Sequence, residues 1–271
     1  MISAKDAITP FLRWAGSKRK LLPRLTPYWG GGYARYIEPF MGSAALFYAA
    51  MPSAAVLSDI NQELVSTFVA VRDHPRAVYN RLLKIPKGKR SYKKLRGTNL
   101  EVLNACDRAA RFIFLNRYCF NGIYRTNSKG IFNVPYAASR TGRIPDWEHF
   151  SAAAERLQSA AIICADFVSV LHAHVRDGDF VYLDPPYAVE NRRIFRQYDP
   201  KTFGIEDLSR LSKTLELIDQ RGAKFVLSYA ASPEAKQYFS DWKRTKVFTQ
   251  RNVSGFAKHR RMAAELIVTN I

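Results

Sequence analysis

Cysteine is scarce in this chain. Its three copies, Cys106, Cys119 and Cys164, have neither the pairwise spacing of a metal site nor the numbers for a disulfide framework. A reduced, cytoplasmic setting is expected, with Cys119 a packing residue. Long apolar runs are also missing. The longest, 44–57, contains Pro52 and is too short to span a bilayer, and 1–10 lacks the apolar centre of a secretory leader. Both observations predict a soluble protein with no membrane partner. There is no Gly-x-Gly-x-x-Gly pattern, which argues against a pyrophosphate-bearing dinucleotide, and Gly16-Ser17-Lys18 lacks the preceding glycine of a phosphate-binding loop. Acid is in short supply too: 23 Asp and Glu stand against 42 Lys and Arg, a formal net charge of +19. A surplus of that size draws a protein to polyanions, nucleic acid first among them.

The surplus is uneven. Residues 72–150 hold 17 Lys/Arg against 5 Asp/Glu, a surplus of 12 within less than a third of the 271 residues. Outside that stretch, short apolar runs alternate with amphipathic segments of helical length, the pattern of a largely parallel sheet flanked by helices. Strands are predicted at 35–40, 54–59, 160–166, 179–184, 223–229, 245–250 and 265–270. The last two have no helix between them and are expected to pair as an antiparallel ribbon at one edge. Inside the basic stretch the spacing predicts helices over 76–84 and 100–116. A hairpin should follow, with turns at Asn121-Gly122 and Lys129-Gly130 around Ile123-Tyr124 and Ile131-Phe132. The basic run Lys87-Gly88-Lys89-Arg90 fits either a solvated face or part of an electrostatic footprint. The expected architecture is therefore α/β, with a catalytic domain split into 1–71 and 151–271 and an inserted lobe at 72–150.

One turn stands out. The apolar run 179–183 ends in Asp184-Pro185-Pro186-Tyr187. An aspartate there can accept a hydrogen bond from an amino group, the Pro185 carbonyl can accept a second, and Tyr187 offers a face on which a base could stack. An ordinary turn also uses Asp-Pro and Pro-Pro. Two further predicted strands end in acids, at Asp59 and Asp166. Asp59 suits a ribose hydroxyl or a helix cap, and Gly42 after the first strand could admit a ligand to the backbone. Acid-lined walls without a phosphate loop suit a nucleoside with a cationic tail, such as S-adenosylmethionine. The segment 188–202, with Arg192, Arg193, Arg196 and Lys201, is expected to be a mobile loop beside this site.

Taken together, these motifs resemble the Dam-like DNA adenine-N6 methyltransferases over nearly the whole chain. Phe11-Leu12-Arg13-Trp14-Ala15-Gly16-Ser17-Lys18 is similar to the family's amino-terminal cofactor segment, and Glu38-Pro39-Phe40-Met41-Gly42-Ser43 to its first donor motif, although the family more often has Gly or Ala where Ser43 stands. Asp59-Ile60-Asn61, Asp166-Phe167 and Asp184-Pro185-Pro186-Tyr187 resemble its ribose-binding, adenine-flanking and catalytic segments. The resemblance implies a Rossmann-like methyltransferase fold with a seven-stranded sheet and S-adenosylmethionine held by Trp14, Lys18, Glu38, Pro39, Phe40, Gly42, Asp59, Asp166, Phe167 and Asp184. It implies no metal.

Within the insertion, 115–127 and 132–135 resemble the family's DNA-reading hairpin. Arg117, Phe120, Asn121, Gly122, Ile123, Arg125, Asn127 and Pro135 are the implied contacts to double-stranded DNA. Phe120 and Asn121 would probe the gap left by a displaced base, Arg125 would read a guanine, and Pro135 would touch a base edge. The resemblance implies methylation of adenine N6 at GATC or another short palindrome, by a monomer or homodimer, in the cytoplasm of a bacterium or of a phage's host. The rivals are a cytosine-N4 methyltransferase, an RNA substrate, and a basic DNA-binding protein without catalysis.

Overall fold

The computed structural model describes residues 8–30, 32–128, 130–138, 142–187, 203–250 and 262–271. Among these residues seven strands form one sheet: β1 (Tyr36–Glu38), β2 (Ala55–Asp59), β3 (Ala160–Cys164), β4 (Phe180–Leu183), β5 (Lys224–Ala230), β6 (Lys243–Gln250) and β7 (Met262–Thr269). Their order is β3-β2-β1-β4-β5-β7-β6. The first five in that order are parallel, while β7 is antiparallel to both β5 and β6. This is the Rossmann-like sheet expected, and all seven strands fall where the apolar runs placed them. The carboxy-terminal pair does form the expected ribbon, with β7 inside the sheet and β6 on the edge. One boundary moves: β3 stops at Cys164, because the Asp166 side chain accepts from the Val168 amide and caps the next helix.

The helices are α1 (Leu22–Leu25), α2 (Ala45–Ala50), α3 (Gln62–Asp73), α4 (Pro75–Leu83), α5 (Lys89–Arg96), α6 (Ala105–Tyr118), α7 (Trp147–Arg156), α8 (Phe167–His174), α9 (Ile205–Gln220) and α10 (Pro233–Tyr238). Among the described residues none is long and apolar enough to cross a membrane. Strand alternation feeds two apolar layers. Ile37, Val181, Leu183, Phe225 and Leu227 meet α8 and α9 on one face, through Leu171, Leu211 and Leu215. Tyr36, Phe180 and Tyr182 point to the other face, where the core runs without interruption through Phe68 of α3 into Val78, Tyr92, Ile113 and Phe114 of the insertion. The inserted helices thus share the core of the sheet.

Several expectations for the insertion need correction. The helix predicted at 100–116 is Ala105–Tyr118, started by Asn104, whose Oδ1 accepts from the Asp107 amide at 3.0 Å. The Lys87–Arg90 run opens the unforeseen α5, which buries Tyr92 and seats its hydroxyl on the Val134 carbonyl at 2.8 Å. The hairpin is also smaller than expected. It consists of isolated bridges at Cys119–Tyr136 and Thr126–Phe132, with Gly130 donating to the Asn127 carbonyl. Asn121-Gly122 is not a hairpin turn but part of a 3-10 turn (Phe120–Gly122), pressed so tightly on the amino-terminal segment that a Cβ at Gly122 would lie 2.8 Å from Arg13 Cβ.

Where β1 and β4 run side by side, the chain order of the sheet reverses, and in open α/β sheets the crevice beyond the carboxyl ends of such a strand pair is where ligands bind. At the opposite end, Asp179 is fully buried and takes a two-point ion pair from Arg35, Nε to Oδ1 at 3.0 Å and Nη2 to Oδ2 at 2.7 Å. Arg35→Ala would strand that carboxylate and is expected to cost about 3 kcal/mol. Urea unfolding followed by circular dichroism checks this, and a loss below about 1 kcal/mol would show the pair to be incidental.

Candidate active site

Glu38 ends β1, Asp59 ends β2 and Asp184 follows β4, so parallel strands place three acids on one edge. Asp184 meets Lys18, whose Nζ lies 2.6 Å from Oδ1; the lysine is 8% exposed, and 19% of the aspartate side chain stays open. Ser228 on β5 donates to the same oxygen at 3.2 Å and is itself 3.0 Å from the Tyr182 hydroxyl. The Lys18 ammonium lies over the Tyr187 ring, 5.1 Å from its centre, and that ring stands edge-to-face on Tyr229 at 5.1 Å. Pro185 is buried and Pro186 exposed.

Burial alone would lower the Lys18 ammonium, but the charges of Asp184, Tyr187 and Glu265, with the hydrogen bond to Asp184, raise it above its ordinary value. It stays charged. Burial pushes the Asp184 carboxyl up while Lys18 pulls it back. Glu38 lies well above the ordinary carboxylate range because it is buried, despite accepting from the Tyr36 hydroxyl at 2.9 Å. Burial raises Asp59 as well, against amide hydrogen bonds from Asn61 at 3.0 Å and Gly42 at 3.2 Å.

The second wall is aromatic and glycine-lined. Gly42, at φ +45, lets Trp14 approach so closely that a Cβ there would sit 2.8 Å from the indole. Trp14 stacks in turn on Tyr124 of the insertion at 6.0 Å. Beyond β3, Phe40 and Phe167 meet at 5.1 Å, and Phe203 packs against both. Asp166 caps α8 and pairs with Arg210 at 2.5 Å.

A family model for D12 class N6 adenine-specific DNA methyltransferases matches residues 14–253. The chain belongs to that family. It is 34% identical over 275 residues to the Type II methyltransferase M1.LlaDCHI of Lactococcus lactis subsp. cremoris, covering 98% of this chain and 96% of the relative. It is 35% identical over 243 residues to the Type II methyltransferase M.MjaIII of Methanocaldococcus jannaschii, covering 82% and 84%. The DNA adenine methylase of Escherichia coli K12 is 29% identical over 264 residues, covering 95% and 93%.

In this D12 chain Lys18 meets Asp184 and Tyr187, Gly42 meets Trp14 and Asp59, and the charges of Asp184 and Asp59 reach Glu38, which precedes Pro39, while Phe40, Phe167 and Asp166 lie along the same carboxyl edge. Of the hairpin residues, Arg125 has its Nε on Asn133 Oδ1 at 2.7 Å, Asn127 closes the turn by accepting from the Ile131 amide, and Pro135 is exposed. Phe120, Asn121 and Ile123 are half-buried and Gly122 is buried against Arg13.

Arg117 stands apart from its expected place in a DNA contact. Its guanidinium donates to the carbonyls of Phe11, at 2.5 and 2.8 Å, and of Pro10, at 3.2 Å. Burial with Arg13 and Arg19 nearby brings its pKa down to about 10. The reason is topological: the amino-terminal strap crosses α6 at this turn, and Asn116 exchanges hydrogen bonds with the Arg13 amide and carbonyl beside it.

Sequence reading also missed Ser228, Phe203, Arg210 and Glu265. For Glu265 a signal existed, since a lone acid in the apolar run 263–268 is an anomaly in a strand. The expected loop at 188–202 lies outside the described residues. Arg117→Ala is expected to cost about 2 kcal/mol by freeing the strap, seen as a lower melting temperature; unchanged melting with only weaker DNA binding would return Arg117 to the interface.

Proposed function

We propose that this protein moves a methyl group from S-adenosylmethionine to the N6 amine of an adenine turned out of duplex DNA, at GATC or another short palindrome. One observation carries this reading: in the crevice, Asp184 and the Tyr187 ring hold an ammonium group between them. An aromatic face beside an acceptor is the arrangement that binds a nucleobase amine.

The donor site fits the same reading. Glu38, Asp59 and Asp184 suit a cationic nucleoside, Gly42 leaves its backbone bare beside Trp14, and Phe40 and Phe167 offer flat walls for the adenine of the donor. Trp14, Lys18, Pro39 and Asp166 complete the set. When bound, S-adenosylmethionine supplies the electrophilic methyl on its sulfonium. The protein's own contribution is placement and charge. The Asp184 carboxylate and the Pro185 carbonyl accept the two N6 hydrogens, which draws the nitrogen toward tetrahedral geometry and stabilises the positive charge that develops there.

The insertion, residues 72–150, serves as the target-recognition lobe. Its surplus of basic residues supplies phosphate contacts, and Arg125, held by Asn133, presents donors suited to guanine O6 and N7. Phe120, Asn121, Ile123, Asn127 and Pro135 border the displaced base, and Gly122, buried against Arg13, holds the turn that presents them. Extruding a base costs a few kcal/mol, of which stacking on Tyr187 returns roughly 1–3 kcal/mol. A palindrome is served by one subunit at a time or by a homodimer.

Asp184→Asn should lower kcat roughly 10²–10³-fold while the protein still melts cooperatively, measured as labelled methyl transferred from the donor to duplex DNA and mapped to adenines. Near-normal turnover would sink the assignment. Donor affinity should also depend on pH. Because burial raises Asp59 and Glu38 in the free protein, a cationic donor binds best once they ionise. Affinity should therefore fall as pH drops through a range above the ordinary carboxylate value of about 4. Calorimetry in buffers of different ionisation enthalpy counts the released protons, and a profile flat to about pH 4 would contradict this placement.

A further inference from the structure

Glu265 interrupts the apolar run of β7 and is only 4% exposed. Register fixes where it projects. Glu265 lies opposite Ala230 and Ile267 opposite Ser228, while Leu183, one residue before Asp184, lies opposite Leu227. Residues directly opposite, or two apart on one strand, share a face, so Glu265, Ser228 and Asp184 project together. The contact between Ser228 and Asp184 agrees with this. On its other side Glu265 is registered against Val247 of β6, which packs on the turn Lys18–Leu21, and Thr249 donates to its Oε1 at 3.4 Å. Its charge reaches Lys18, Asp184 and Tyr187 alike. A buried carboxylate carries a desolvation cost that an apolar residue would not, and that cost calls for a reason.

Lys18 supplies the reason. In the free protein its ammonium occupies both contacts that the reading above assigns to adenine, the Asp184 carboxylate and the Tyr187 face. The base and the lysine therefore compete. We propose that Glu265 is a positioning residue for methyl transfer: it receives the Lys18 ammonium when the adenine amine replaces it on Asp184. The cation then passes between two buried carboxylates and never returns to water, so the exchange avoids leaving either a lone ammonium or a doubly loaded Asp184. No proton changes hands. The inference rests on Asp184 being the acceptor of the adenine amine.

The test uses a duplex bearing the mapped site with 2-aminopurine beside the target adenine, whose fluorescence rises when its neighbour leaves the stack. Glu265→Gln should reduce that rise and lower kcat about tenfold, with the donor Kd unchanged. Lys18→Met, which removes the competitor, should keep or enlarge the rise, and adding Glu265→Gln to it should no longer diminish the signal. An equal loss from Glu265→Gln with and without Lys18, or a Lys18→Met protein that displaces no base, overturns the proposal. If the Gln variant does not fold, the Lys18→Met arm decides alone, retained displacement supporting the exchange and lost displacement refuting it. A wild-type chain that places no methyl on duplex adenine overturns the site reading itself, and the exchange with it.

Discussion

Everything around the crevice is arranged about one ammonium and one carboxylate, Lys18 and Asp184, closed at 2.6 Å where the sheet reverses direction. Two groups of opposite charge taken out of water hold each other there, since removing either would leave the other buried and uncompensated. The pair depends on two remote parts of the chain. Asp184 is fixed by β4 and by Ser228 of β5, whereas Lys18 arrives on the amino-terminal strap, 166 residues away in sequence. Parallel strands force this, because only their carboxyl ends leave turns free to gather chemistry on one edge.

The strap is held by the insertion. Asn116 and Arg117 of α6 fasten residues 10–13 through backbone carbonyls, Gly122 presses on Arg13, and Tyr124 stacks on Trp14. The same helix leads directly into the turn at Phe120 and the small hairpin beyond it. The part of the chain proposed to read DNA and the part that carries Lys18 are therefore one packed unit, continuous with the core beneath the sheet. The tryptophan proposed to bind the donor and the lobe proposed to read DNA share a wall.

The strands were legible because burial on both faces writes nearly continuous apolar runs, and the turn proposed to be catalytic because an acid followed by two prolines and a tyrosine at a strand end is chemically conspicuous. Other features left weaker marks. Arg117 carries the same side chain whether it meets a phosphate or a carbonyl, and only the path of the strap tells them apart. The helix around Tyr92 hid in a run of basic residues with a mean pattern too polar to suggest a buried face. Glu265 showed itself as an anomaly, yet nothing local says which strand it will face, because β7 enters the sheet beside β5 and puts β6 on the edge.

What the chain determined by itself was the set of local preferences: alternating strand and helix, the stiff acidic turn, the glycine that bares backbone after the first strand, and the concentration of positive charge in the insertion. These follow from side-chain period, backbone restriction and net charge, which act over a few residues or over no particular geometry at all. Tertiary structure alone decided which charges meet. It placed Lys18 on Asp184, turned Arg117 inward, and set Glu265 on the same face as both Ser228 and Asp184, because the energy of a buried ion depends on groups brought within a few ångströms by strand order and not on its neighbours along the chain.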